Sequence, residues 1–200
     1  RALERLGRAG SGTWFSRYNV NATQAMQDTI KKVVSATARL SARQHGALIV
    51  LQRNESLEEY LNTGVRLDSE VTPEILLQIF YPNTPLHDGA VIIDQSRVVA
   101  ASCVMPLSSS GTLSRSPDRK MGLRHRAALG ISEASDAITV VVSEETGAIS
   151  ITHGGRMIRR LDTERLENIL TAFYRPLQQS EEGFFSRLFR FRKSARQQEE

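Results

Sequence analysis

From residue 21 onward the chain shows a helical rhythm. Met26, Ile30, Val33, Thr37 and Leu40 recur on one face of a helix expected to start at Asn21, with Gln24 at the capping-box position. The rhythm then changes. Gly46 to Leu51 is a short continuous apolar run, the pattern of a strand buried on both faces, and a brief helix around Leu57–Leu61 follows. Thr72-Pro73-Glu74 predicts a helix start, with a capping hydroxyl, a proline whose fixed φ suits the first position, and an acid near the positive helix end. Ile75, Leu76, Ile79 and Phe80 supply its apolar face, and Pro82 stops it. Ala90–Asp94 and Arg97–Met105 read as two strands joined by a tight turn, and the serine-rich stretch Ser108–Arg119 reads as a surface loop.

The second half repeats the alternation. Arg124 to Ser135 predicts a helix. Ala137–Ser143 and Ala148–Thr152 predict a hairpin around Glu144-Glu145-Thr146-Gly147, and Gly154-Gly155 turns into a short strand near Met157–Arg159. Asp162 or Thr163 can cap a last helix through Tyr174 that buries Leu166, Ile169, Leu170 and Phe173. Helices interleaved with both hairpins and separated strands argue for a single α/β domain, a central mixed β-sheet flanked by helices, over residues 21–175. Residues 1–20 form a basic connector. Residues 176–200 form a basic tail in which Phe184, Phe185, Phe189 and Phe191 cluster with Arg187, Arg190, Arg192 and Lys193, a mixture suited to an anionic membrane or a partner protein.

Two polar stretches carry the candidate chemistry. Pro82 to Ile93 runs through two prolines into His87-Asp88-Gly89-Ala90 and then straight into an apolar strand. Asp88 therefore stands where a loop enters a strand, and Gly89 lets the backbone approach a ligand with no β-carbon in the way. Asp-Gly is also a common turn dipeptide, so this stretch alone does not choose. The second stretch is Gly122-Leu123-Arg124-His125-Arg126. Cationic groups at a helix start run against the usual preference for acids there, a cost that makes sense when an anion binds the free N–H groups and guanidinium forks.

In the same order and at similar spacing, His87-Asp88-Gly89-Ala90, Arg124-His125-Arg126 and Ser143-Glu144-Glu145 resemble the diadenylate cyclase family, over about Gly46 to Leu170. The likeness is to the membrane-anchored branch, whose cyclase domain follows transmembrane helices. It implies condensation of two ATP into cyclic 3′,5′-di-AMP with release of two pyrophosphates, across a head-to-head homodimer. It implies Asp88, Arg124, His125 and Arg126 as catalytic residues, and Gly89, Ala90, Met105, Leu123 and Ser143 as ATP contacts. Asp88 and Glu145 would hold a divalent metal, Mg²⁺ or Mn²⁺, since carboxylates and phosphates are hard oxygen ligands. Leu123 stands where many members carry threonine, and Val104 where close relatives often place an aromatic ring. A non-catalytic module binding ATP or cyclic di-AMP, and a membrane-tethered scaffold, are the other classes open to this chain.

Composition narrows the rest. A net charge of +4 permits anionic partners without choosing among them; nothing in the motifs points to nucleic acid. The single cysteine, Cys103, excludes an internal disulfide and lies in an apolar run, as a buried inert thiol would. No stretch reaches the roughly 20 apolar residues needed to span a bilayer. With no initiator methionine, the chain is expected to be the cytoplasmic fragment of a longer cell-membrane protein.

Overall fold

The computed structural model describes residues 12–108 and 121–174, with side chains from residue 24 onward. The tail over 176–200, most of the serine-rich loop and the first half of the connector lie outside the described residues. The elements in chain order are α1 (Gly12–Ala42), β1 (Ala47–Leu51), α2 (Glu58–Leu61), β2 (Val65–Glu70), α3 (Pro73–Ile79), β3 (Ala90–Asp94), β4 (Arg97–Cys103), α4 (Leu123–Ala134), β5 (Ile138–Val142), β6 (Ile149–His153), β7 (Arg156–Leu161) and α5 (Thr163–Tyr174). The seven strands form one mixed sheet in the order β2-β4-β3-β1-β5-β6-β7. Only β1 and β3 run parallel; each other neighbouring pair is antiparallel.

The two faces of the sheet explain the sequence pattern. Successive side chains of β1 point to opposite faces. Ile49 and Leu51 join Ile30, Val33, Leu40, Leu166, Leu170 and Phe173 in one core, beneath α1 and α5. Leu48 and Val50 join Leu57, Leu61, Ile92 and Ile131 in a second core, beneath α2 and α4. A strand covered on both sides has no polar positions to spare, hence the continuous apolar run. Each such side chain removed from water contributes about 1.5–3 kcal/mol.

The helix starts divide into one correction and two agreements. α1 begins at Gly12, nine residues before Asn21, so Asn21 lies inside the helix and does not cap it. Thr72 does cap α3, its hydroxyl accepting from the Ile75 N–H at 3.2 Å. Asp162 caps α5, accepting from the Arg165 N–H at 2.7 Å. The strand β2 is an addition; its residues were not read as a strand.

Two buried threonines fix α4 to the sheet. Thr152 donates to the Ala128 carbonyl at 2.8 Å, and its hydroxyl lies 2.5 Å from that of Thr139 on β5. Both side chains are buried, so leaving either unpaired costs about 1–3 kcal/mol. This contact ties the middle of α4, at Ala128, to β6.

Candidate functional site

Asp88 is held by its backbone. After α3, the His87 Nδ1 sits 2.5 Å from the Thr84 carbonyl, closing the proline-bounded turn. The Ser102 hydroxyl donates to the Asp88 carbonyl at 2.6 Å. Gly89 then takes φ +107°, and a β-carbon there would lie 2.7 Å from the Ser102 carbonyl carbon and 2.9 Å from the Cys103 oxygen. Only glycine combines that angle with that approach. Ala90 begins β3 fully buried. The loop is thus pinned from behind, while Asp88 itself is exposed.

α4 brings the second group. Gly122 precedes it in an extended conformation with no side-chain cap, so the first N–H groups of the helix have no capping side chain. From the first turn, the Arg124 Nη1 meets the Glu144 Oε2 at 2.5 Å, and Nη2 reaches the His87 carbonyl at 3.4 Å. Arg124 thereby ties the Asp88 loop to the β5–β6 turn. Its Nε is buried with no hydrogen-bond partner among the described residues. Burial, and next the positive charge of Arg159, hold the His125 pKa below the ordinary imidazole range, with Glu145 opposing them. At neutral pH its ring is uncharged, with one nitrogen able to donate and the other to accept.

The β5–β6 turn brings the third group. The Gly147 N–H donates to the Ser143 carbonyl at 2.9 Å, and the Thr146 N–H to the Ser143 hydroxyl at 3.3 Å. The Ser41 hydroxyl near the end of α1 donates to the Gly147 carbonyl at 2.6 Å, anchoring the turn to that helix.

These parts enclose a cleft of about 430 Å³, lined by Asp88, Leu123, Arg124, His125, Ser143 and Glu145 together with Glu144, Ser150, Arg159 and Arg160. Six of the expected residues therefore meet, from three segments distant in sequence. The others stand apart from the lining. Gly89 and Ala90 shape the loop behind Asp88, Met105 is buried in the core below α4, and Arg126 is half-buried on the same helical turn. Val104 is 64 % exposed and Leu123 68 %.

Sequence reasoning left four contributors unassigned. Glu144 pairs with Arg124, Gly46 leaves the room for that pair, and Arg159 and Arg160 come from β7. The adjacent arginines after the Gly154-Gly155 turn were the available signal. As for a metal, no group of three or more His, Cys, Asp or Glu side chains is arranged to hold one among the described residues. Asp88 and Glu145 offer hard carboxylate oxygens in one cleft. That set fits a Mg²⁺-type ion, which keeps several waters and takes one or two carboxylates plus substrate phosphates.

A family model described as DisA bacterial checkpoint controller nucleotide-binding, DAC, matches residues 34–157. The chain is 43 % identical to the cyclic di-AMP synthase CdaA of Bacillus subtilis strain 168 over 88 % of its own length and 62 % of that protein's. It is 45 % identical to a diadenylate cyclase of Listeria monocytogenes serotype 1/2a, strain 10403S, over 85 % of its length and 60 % of the relative's. It thus spans about three fifths of the length of these relatives. The crystal structure of a double mutant of DacA from Staphylococcus aureus superposes with a TM-score of 0.70 at 42 % identity, covering 74 % of this chain and 97 % of that one. The family match extends over more than half of the residues and takes in the Asp88 loop, the α4 start and the β5–β6 turn, and on that ground the chain belongs to the DAC family.

Proposed function

We propose that this chain is the catalytic part of a diadenylate cyclase that joins two ATP into cyclic 3′,5′-di-AMP. The observation that carries this reading is the meeting of Asp88, the Arg124-His125 helix start and Glu145 in one cleft. In the reaction the 3′-oxygen of each ATP bonds to the α-phosphorus of the other. The bond from that phosphorus to the bridging oxygen breaks, and pyrophosphate leaves. Such a transfer needs alignment, neutralised charge and a more nucleophilic hydroxyl.

Asp88 is the group for the hydroxyl. Its carboxylate lines the cleft, its backbone is fixed, and it can accept the proton the 3′-oxygen gives up. Arg124 is the group for phosphate, with a forked donor at a helix N-terminus. Each charge-assisted hydrogen bond it makes is worth about 1.5–3 kcal/mol. His125, uncharged, donates one hydrogen bond to a phosphate oxygen, and Ser143 offers its hydroxyl proton. Arg126 stays in the proposal on the resemblance alone. Asp88 and Glu145 would hold the divalent cation, which when bound supplies charge neutralisation along the phosphates.

A homodimer supplies the second ATP, because each chain carries one Asp-Gly-Ala and one Arg-His-Arg sequence. The longer relatives, and a 45 % identical neighbour from Bacillus cereus described as a hypothetical membrane spanning protein, support placing this domain in a longer, membrane-linked protein. No helix among the described residues is long and apolar enough to cross a membrane. The test is to incubate the purified protein with ATP and Mg²⁺ or Mn²⁺ and separate the products by chromatography. Cyclic di-AMP and pyrophosphate are expected at a 1:2 ratio, as the stoichiometry requires. ATP binding without product would favour the non-catalytic nucleotide-binding module.

A further inference from the structure

β6 carries a hydroxyl that the fold does not use. Side chains along the strand alternate between the two faces of the sheet. Ile149 and Ile151 join the core beneath α1 and α5. Ser150 and Thr152 take the other face, the one toward α4, and both are 1 % exposed. Thr152 has partners there, the Ala128 carbonyl at 2.8 Å and the Thr139 hydroxyl at 2.5 Å. The Ser150 hydroxyl has no hydrogen-bond partner among the described residues. Its residue lines the cleft instead.

The neighbours across the sheet show what kind of place this is. On β5, Ser150 pairs with Val141, which is buried in the core beneath α2 and α4. On β7 it pairs with Arg159, which lines the cleft. Ser150 thus stands where the apolar core gives way to the cleft. An alanine there would pack at no cost. A nearly buried hydroxyl gives up hydration and recovers nothing within the chain. The carboxylates of the cleft, Asp88, Glu144 and Glu145, do not accept from it. A partner from outside the chain completes it, and the surrounding groups select its chemistry. Arg124 lies at an α4 start without a side-chain cap, and the His125 ring and the Ser143 hydroxyl line the same cleft. A hydroxyl among such donors suits the anionic oxygens of phosphate.

We propose that Ser150 is a further ATP contact, its hydroxyl donating to a non-bridging oxygen of the triphosphate from the sheet side of the cleft. Arg124 and Ser143 approach the same phosphates from α4 and from the β5–β6 turn. The proposal rests on reading the cleft as an ATP site, and it goes beyond that reading in naming a side chain that serves the ligand and not the fold. Removing the hydroxyl therefore weakens binding while leaving the free protein as stable as before, or more so.

Ser150→Ala is the first variant, because it removes one oxygen and nothing else. Ser150→Cys is the second, keeping the volume and exchanging a strong donor for a weak one. Titration calorimetry with magnesium tripolyphosphate, α,β-methylene-ATP and adenosine reads the effect, and thermal melting checks the fold. In both variants, affinity for tripolyphosphate and for the ATP analogue should fall about tenfold, while adenosine affinity changes less than about twofold. The melting temperature of Ser150→Ala should equal or exceed that of the unaltered protein. Unchanged tripolyphosphate and analogue affinity, an equal loss for adenosine, or no binding of tripolyphosphate to the unaltered protein would each overturn the contact. So would parental affinity in Ser150→Cys, which would assign the effect to volume, or a melting temperature of Ser150→Ala lowered by more than about 4 °C, which would assign it to the fold. Product assays with ATP run alongside separate the two readings. A protein that makes no cyclic dinucleotide yet binds tripolyphosphate through Ser150 leaves the contact standing and removes the cyclase. An active cyclase whose KM for ATP is the same in Ser150→Ala removes the contact alone.

Discussion

Gly46 lies close against Arg124: a β-carbon on Gly46 would lie 2.8 Å from the Arg124 Nη1. The same β-carbon would lie 3.0 Å from the Glu144 Oε2, so it would press on both halves of the ion pair. The residue before the central strand therefore holds space for the guanidinium that joins the Asp88 loop to the β5–β6 turn.

Gly46→Ala should separate function from stability. Two of the three atoms it meets are ends of flexible side chains and the third is the Glu144 Cβ at 3.0 Å, so the β5–β6 turn must also give slightly, at a cost of about 1 kcal/mol. The guanidinium, however, moves by several tenths of an ångström away from its place. ATP affinity measured by calorimetry should drop about tenfold, as expected when one charge-assisted hydrogen bond is lost. A variant that binds ATP as the parent does would show that Arg124 is not needed in its observed position.

This relationship was invisible in the sequence, and the reason is physical. Local pattern reports which residues share a helix face or a strand, and it located β1, α3, the two hairpins and α5 with small errors at their ends. It does not report which residues 78 positions apart will lie close together, as Gly46 and Arg124 do. β2 escaped because Val65-Arg66-Leu67-Asp68-Ser69-Glu70 is an edge strand, polar at four of its six positions and largely exposed, with a register shift between Arg66 and Ser69. Asn21 misled because a capping residue permits a helix start without requiring one. Asp88 and Arg124 were legible as motifs, whereas Arg160 was not, since its facing depends on a bulge that period-2 reasoning does not contain.

Asp88→Asn tests the proposed chemistry with least disturbance. The fold uses the Asp88 carbonyl, through Ser102, and the side chain is exposed. Asparagine keeps the shape and removes the charge. Thermal unfolding should stay within about 2 °C of the parent, since a surface change of this kind is worth about 0.5 kcal/mol or less. Product formation should fall by at least about a hundredfold, the lower range for losing a positioned base. Turnover at the parental rate would end the assignment of Asp88.

Cys103 gives a prediction with a pH axis. Burial pushes its thiol up to about 11, with the Arg66 charge opposing weakly. The thiolate is the reactive form, so the native protein should resist iodoacetamide at pH 8.5 and react promptly once unfolded in guanidinium. The sign of the linkage follows from a raised pKa. The folded state holds the proton more tightly, so this contribution to stability is complete below the ordinary thiol value of 9.0 and is lost as pH rises from there through about 11. Stoichiometric alkylation of the folded protein at pH 8.5 would contradict the burial of this side chain.

The last prediction concerns how many chains make one product. Cyclic di-AMP has two identical halves, and each chain offers one Asp88 loop and one Arg124-His125 helix start. Two clefts facing across a two-fold axis place each 3′-oxygen in line with the opposite α-phosphorus, using the same surface twice. Such positioning can supply about 7–11 kcal/mol of the barrier, which a lone cleft forgoes. The monomer should therefore bind ATP and leave it uncyclised. Specific activity should rise with protein concentration and then level off, and the rise should track the dimer fraction seen by analytical ultracentrifugation. Mixing Asp88→Asn with a separate Arg124→Ala variant should not restore full activity, because each mixed pair has a defect in both clefts it needs. Specific activity that holds constant down to concentrations where sedimentation finds only monomer would refute the two-chain mechanism.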